Sequence, residues 1–175
     1  PRLSQEHGAA RLVQNLAAAL ARTSNTPGRT RLINWFEVVP PKGDPVSFVD
    51  LPGYGYAKVP LAQKKKWEQF IDDYLRNRQS LCGLFLIMDI RHPLTEFDQL
   101  ILSWAEQCEL PVHILLTKAD KLKFGPAKST CLKVEKTFSD NPLVSAQLFS
   151  GTAKTGVEEA REKLAFWLGI ENSQQ

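Results

Sequence analysis

Cysteine is scarce in this 175-residue chain. There are three, Cys82, Cys108 and Cys131, widely spaced and odd in number. No disulfide framework or metal pair follows from them, and a reduced, cytoplasmic protein is expected. Long apolar runs are missing too. The longest, Leu81 to Met88, is far too short to cross a bilayer, so no membrane association is expected. The Ala-rich stretch near the N-terminus carries Arg11, Gln14 and Asn15, a poor match to an export signal. Neither sign of charge dominates. The net charge of +3 does not by itself establish a nucleic-acid partner. Internal repeats and low-complexity linkers are absent. What is present is ordinary: 43% hydrophobic and 23% charged residues, which exclude intrinsic disorder and a fibrous protein. The length suits one globular domain with a substantial core.

Periodicity supplies the organisation. Leu32 to Val39 (LINWFEVV) reads as a strand, and Val46 to Val49 as the next. The turn PPKGDP between them is too short for a parallel crossover, so the two should pair antiparallel. After Pro60, the residues Trp67, Phe70, Ile71, Tyr74 and Leu75 mark one apolar face of a helix. Leu84 to Met88 is a buried strand ending at Asp89. Thr95 to Cys108 is a helix with Phe97, Leu100, Ile101 and Trp104 inward. Val112 to Leu116 is a second buried strand, followed by a helix near Ala127 to Phe138. A strand near Val144 to Phe149 and a helix from about Val157 to Leu168 complete the chain. Alternating strands and helices imply an α/β fold with a mostly parallel sheet, one antiparallel strand and helices on both faces. Ligands bind such sheets beyond the carboxyl ends of the strands. The informative residues are therefore Asp50 to Gly53, Asp89 to Pro93, Thr117 to Asp120 and Ser150 to Thr152.

Thr117-Lys118-Ala119-Asp120 has the form [NT]-K-x-D. Its carboxylate can accept two hydrogen bonds from the guanine edge, a donor pair that adenine lacks, and the Lys118 stem can lie over the base. Asp50-Leu51-Pro52-Gly53 has the form D-x-x-G directly after a strand. Asp50 can hold Mg²⁺ through a water, and the Gly53 N–H can meet a γ-phosphate and reorganise when it leaves. Ser150-Gly151-Thr152 follows the last strand, where a backbone N–H can reach the guanine oxygen. Thr30 lies on a loop before the first strand, placed to ligate Mg²⁺. Each motif alone also reads as a plain turn. Their order and strand-end positions together make the case.

These stretches, ARTSNTPGRTRLINWFEV, VDLPGYGYAKVP, RQSLCGLFLIMDIRHPL and LLTKADKL, resemble the EngB (YihA/YsxC) family of bacterial translation-factor-class GTPases. The match runs from roughly Leu20 to Trp167. The resemblance implies a single Ras-like G domain over residues 1–175 that binds GTP or GDP with Mg²⁺. It assigns Gly28, Arg29, Thr30, Arg31 and Leu32 to switch I, with Thr30 as metal ligand. It assigns Asp50, Leu51, Pro52 and Gly53 to the γ-phosphate and switch II, with Asp50 also at the metal. Thr117, Lys118, Ala119 and Asp120 read guanine, and Phe149, Ser150 and Gly151 take the last base-contacting position. The implied biology is assembly of the large ribosomal subunit, through rRNA and ribosomal proteins, together with normal septation in cell division, by a monomer.

One departure from the family is large. The P-loop pattern G-x-x-x-x-G-K-[ST], whose N–H cradle and lysine grip phosphates, is absent. No Gly-Lys-Ser or Gly-Lys-Thr occurs in the sequence. The strand that should precede it is absent as well. Gly8 is followed almost at once by Arg11 to Leu16, which resembles the helix after the P-loop. The gap relative to the family falls near residues 8–12 and amounts to roughly a dozen residues.

Tyr54 follows Gly53, where Ras-type proteins carry the water-orienting Gln, so slow hydrolysis is expected and no catalytic side chain is assigned. Lys64, Lys65 and Lys66, with Arg76 and Arg78, either meet rRNA phosphates or form a solvated face. His92 sits in the turn segment Asp89 to Leu94, where Asp89 or Arg91 should bond the backbone. His113 reads as structural, and Trp35, Trp67, Trp104 and Trp167 occupy core-type positions. Two functions compete: a GTP-driven assembly switch with slow hydrolysis, and a pseudo-GTPase scaffold that does not hydrolyse GTP.

Overall fold

The first ladder joins the two strands expected on either side of PPKGDP. Strand β1 (Asn34–Val38) pairs antiparallel with β2 (Val46–Asp50), in a register that sets Trp35 opposite Val49 and Phe36 opposite Phe48. The computed structural model describes residues 34–39, 45–51 and 61–170, and the expectations for Arg11 to Leu16 and for the switch I loop lie outside them. The described residues fall into two compact units. The β1–β2 pair and the last turns of the final helix belong to Pro1–Lys58 with Arg161–Gln175, and the rest belongs to Val59–Ala160.

The second unit is the parallel α/β arrangement. Its elements run α1 (Leu61–Asn77), β3 (Leu84–Asp89), α2 (Glu96–Gln107), β4 (Val112–Thr117), a 3-10 turn (Ala119–Lys121), α3 (Phe124–Thr137) and β5 (Val144–Leu148). The helix α4 (Val157–Trp167) begins in this unit. The sheet order is β3-β4-β5, all parallel. The unbroken apolar run of β4 explains its central place: Val112 to Leu116 are all buried, with Ile114 and Leu116 fully so. In β3 only Leu86 and Met88 are buried while Ile87 is 55% exposed, so the expected buried strand buries one face. Helix α3 packs on β5, and α2 packs on both β3 and α1.

Two helical faces differ from the expected ones. Among the described side chains of α1 the buried ones are Ile71 and Leu75, and Phe70 is 42% exposed. Phe70 lies about 100° round the helix from Ile71, at the edge of the stripe. In α2 the buried set is Asp98, Ile101, Leu102 and Ala105, and Phe97, Leu100 and Trp104 are only half-buried on its flank. The buried Asp98 belongs to a capping box: it accepts from the Thr95 backbone N–H at 2.7 Å and from Thr95 Oγ1 at 2.8 Å. Trp67 and Phe97 meet edge to face with centroids 6.0 Å apart, joining α1 to α2. Trp35 is 45% exposed rather than a core residue. Among the described residues no helix is long and apolar enough to cross a membrane.

Candidate functional site

Register places the site. Asp89 at the end of β3 pairs with Thr117 at the end of β4, and Leu116 pairs with Leu148 at the end of β5. The segments that follow these strands therefore emerge side by side at one edge, as the parallel topology requires. Backbone bonds lock them together. Ile90 N–H donates to the Thr117 carbonyl at 3.0 Å, Phe149 N–H to Leu116 at 2.9 Å, and Ala119 N–H to Phe149 at 3.1 Å. Thr117 Oγ1 donates to the Met88 carbonyl at 2.9 Å. So Thr117 is a strand-end anchor, while Ala119 is buried beneath the loop.

Lys118 turns the chain at φ 59°, in the left-handed region, at a cost of roughly 1–2 kcal/mol for a residue with a side chain. The cross-links on either side hold it there. Its Nζ lies 3.0 Å from Asp89 Oδ2. Asp89 is itself gripped by Arg91, whose guanidinium donates to Oδ1 at 2.9 Å and to Oδ2 at 2.6 Å, and whose backbone N–H donates to Oδ1 at 3.0 Å. His92 N–H closes the turn on the Asp89 carbonyl at 2.9 Å. The expected backbone-bonding role of Asp89 is present, and its second role as anchor of Lys118 was not legible from the motif. Arg91 and then Lys118 hold the Asp89 carboxyl well below the usual carboxylate range, against the opposing effect of burial.

That shift has a consequence for stability. The folded state binds this proton less tightly than the unfolded chain, so the ionised carboxylate stabilises the fold above the unfolded value near pH 4. The contribution fades as pH falls from there toward the lower folded value. Asp89→Asn should therefore lower stability at neutral pH, with the gap from wild type closing in acid. Denaturant melts of both proteins from pH 7 to pH 3 check this, and a gap that widened in acid would contradict it.

Asp120 is the central side chain. Its Oδ1 accepts from Ser150 Oγ at 2.6 Å, and Oδ2 lies 3.2 Å from Lys121 Nζ. The Ser150 hydrogen bond first, and then Lys121, lower its pKa. Ser150 is 1% exposed and fully engaged. Its Oγ also accepts from Ala153 N–H at 3.0 Å, and its own N–H donates to the Thr155 carbonyl at 2.9 Å. Gly151 stands next to it with open space where a Cβ would be.

A second layer supports this loop. Gln147, buried in β5, donates from Nε2 to the Gly156 carbonyl at 2.6 Å and accepts at Oε1 from His113 Nε2 at 2.8 Å. His113 Nδ1 meets Ser145 Oγ at 2.7 Å. Because Gln Oε1 only accepts, the proton sits on His113 Nε2. The structural role expected for His113 is thus specific: it orients Gln147, which pins the far end of the Ser150 loop. Nothing local in the sequence marks Gln147, since its partners are 34 residues back and 9 residues ahead.

The structure thus brings Thr117, Lys118, Ala119 and Asp120 together with Phe149, Ser150 and Gly151. Asp50 ends β2 and is exposed, and Leu51 follows it half-buried. Gly28, Arg29, Thr30, Arg31, Leu32, Pro52 and Gly53 lie outside the described residues, as does Tyr54. Of Lys64 to Lys66, Lys65 and Lys66 are exposed on α1. The Asp120 carboxylate keeps acceptor capacity for a donor pair such as the one a guanine edge presents. A carboxylate has about four lone-pair directions, and Ser150 with Lys121 takes one on each oxygen, leaving acceptors for two donors. For the phosphates and Mg²⁺, the sequence carries no Gly-Lys-Ser or Gly-Lys-Thr to provide a grip.

The model of a family described as 50S ribosome-binding GTPase matches residues 6–118. Among solved structures, the chain is similar to a probable GTP-binding protein EngB, with a TM-score of 0.60 at 12% identity, over 79% of this chain and 85% of that one. It is similar to Era in complex with MgGDPNP and nucleotides 1506–1542 of 16S ribosomal RNA, with a TM-score of 0.65 at 18% identity, over 91% of this chain and 52% of that one. It is also similar to the elongation factor SelB from Methanococcus maripaludis in complex with GppNHp, with a TM-score of 0.56 at 17% identity, over 82% of this chain and 29% of that one. The fold is a Ras-like G domain, with a parallel sheet and an antiparallel pair.

Proposed function

Because the chain belongs to the 50S ribosome-binding GTPase family, we propose that it is a GTP/GDP switch of the EngB type, acting in assembly of the large ribosomal subunit. The observation that carries this reading is Asp120, held by Ser150 and Lys121 at the joined ends of β4 and β5 with acceptors to spare for a guanine edge. Asp120 accepts the ring N–H and the exocyclic amine. Ser150 sets the rotation of that carboxylate, and Gln147 with His113 keeps the Ser150 loop closed. The Asp89–Lys118 pair fixes the direction of the Lys118 side chain beside the base.

By the resemblance, Thr30 and Asp50 are the residues to hold Mg²⁺, and Gly53 is the one to meet the γ-phosphate. When bound, the metal would supply charge neutralisation on the phosphates. The proposed setting is a cytoplasmic monomer whose partners are the large subunit or its precursor, with normal septation as a downstream effect. A second reading, a scaffold that does not hydrolyse GTP, is favoured by one observation: the sequence has no P-loop lysine.

Turnover separates the two. Nothing in Gly53-Tyr54-Gly55 can orient a water as an amide does, so the isolated protein should hydrolyse GTP below about 10⁻² per second. Purified large subunits should change that rate. Phosphate release measured with and without subunits tests this. Fast multiple turnover alone would contradict the switch as described, and no release under either condition would leave the scaffold.

A further inference from the structure

The mild net charge of the whole chain conceals a local excess. Between Lys118 and Lys136 there are six lysines against two carboxylates, a net of +4 where the full chain carries +3. Two of these lysines are committed within the fold, Lys118 to Asp89 and Lys121 to Asp120. Lys128, Lys133 and Lys136 form no ion pair among the described residues. All three line one shallow depression of about 380 Å³ on the outer face of α3, together with Gly125, Ser129 and Leu132. The opposite face of the helix buries Ala127, Cys131 and Val134, so the basic face points to solvent by construction.

The only carboxylate of α3, Glu135, lies about 20° round the helix from Lys128 and one turn or more further along; one carboxylate against Lys128, Lys133 and Lys136 leaves the face net positive. From Lys128 to Lys136 the helix advances about 12 Å, the reach of a few successive phosphates along a strand. At the start of the row Phe124 is 76% exposed, and Leu132 within it is 54% exposed. A basic row with an exposed ring at its end matches a phosphate backbone with a base to stack.

We infer that the outer face of α3, through Lys128, Lys133 and Lys136, is a docking surface for RNA backbone phosphates. The choice of RNA rests on the ribosomal reading above, while the charged face stands on the geometry. It lies on a different helix from the Lys64 to Lys66 run, which is in α1.

The test uses the full chain and a fluorescently labelled 20-nucleotide single-stranded RNA of mixed sequence, followed by anisotropy from 50 to 200 mM salt. Each lost phosphate contact lowers the magnitude of the log–log salt slope by about 0.7. The variant K128Q/K133Q/K136Q should therefore lose about two from the slope, while a Lys64, Lys65 and Lys66 triple replacement by Gln keeps the α3 contribution. Nucleotide selectivity should be unchanged in K128Q/K133Q/K136Q. A wild-type slope in that variant, or no RNA binding by wild type, would overturn the inference. Binding of poly-glutamate as tight as that of RNA would overturn it in favour of an acidic protein partner. A chain that binds RNA through α3 yet binds no guanine nucleotide fails the switch reading and leaves this inference standing.

Discussion

Asp120→Asn should weaken GDP binding about a hundredfold or more and shift preference toward xanthosine diphosphate. The carboxylate accepts two guanine protons, and hydrogen bonds to a charged group are the stronger kind. The amide of Asn accepts at one atom and donates at the other, so it opposes one guanine donor with a donor of its own. Xanthine carries a carbonyl where guanine has its amine, and that oxygen can take the amide's N–H. Ser150 Oγ, 2.6 Å from Asp120 Oδ1, can still donate to the Asn oxygen, so the loop need not collapse. Competition calorimetry with GDP and xanthosine diphosphate reads the switch directly. Equal GDP affinity in wild type and variant would remove Asp120 from the base site.

The largest stability effect should come from Gly156→Ala. Gly156 has a φ of +70°, and a Cβ added there would stand 2.0 Å from the Leu148 carbonyl oxygen and 2.5 Å from Gln147 Nε2. Two costs add. One is the left-handed conformation itself, about 1–2 kcal/mol. The other is displacement of the strand end or loss of the Gln147 bond to the Gly156 carbonyl. Together they should cost about 3 kcal/mol or more, which for a chain of this size lowers Tm by about 10 °C. The control is Gly151→Ala, where the added methyl meets open space and Tm should hardly move. Thermal melts of the two variants decide the matter. A Gly156→Ala protein melting within about 2 °C of wild type would mean the loop is not pinned as described.

What was legible in the sequence was what depends on near neighbours. The strands β3 and β4 announced themselves as short apolar runs ending in polar residues, and β5 as a short mixed run ahead of Ser150. Parallel topology then brought Thr117 to Asp120 and Phe149 to Gly151 to one edge without further information. The antiparallel pairing of β1 with β2 followed from a turn too short for a crossover. What was not legible depends on residues far apart in the chain. Asp89 looked like a turn residue, and its hold on Lys118 exists only because β3 and β4 lie in register. Gln147 carried no motif, because its meaning comes from His113 on the neighbouring strand. Periodicity misjudged Phe70 and the α2 face for a related reason. It finds the centre of an apolar stripe only approximately, whereas which residues are buried depends on the elements the helix packs against, here β3 and α1.

The central claim is that this chain reads guanine at Asp120 even though its sequence carries no P-loop lysine. The direct measurement is calorimetric titration of the 175-residue chain with GDP, GTP, ADP and ATP in the presence of Mg²⁺. The account predicts saturable binding of GDP and GTP with a preference over the adenine nucleotides of about a hundredfold. Equal affinity for the two bases, or no binding of any of the four, would contradict it.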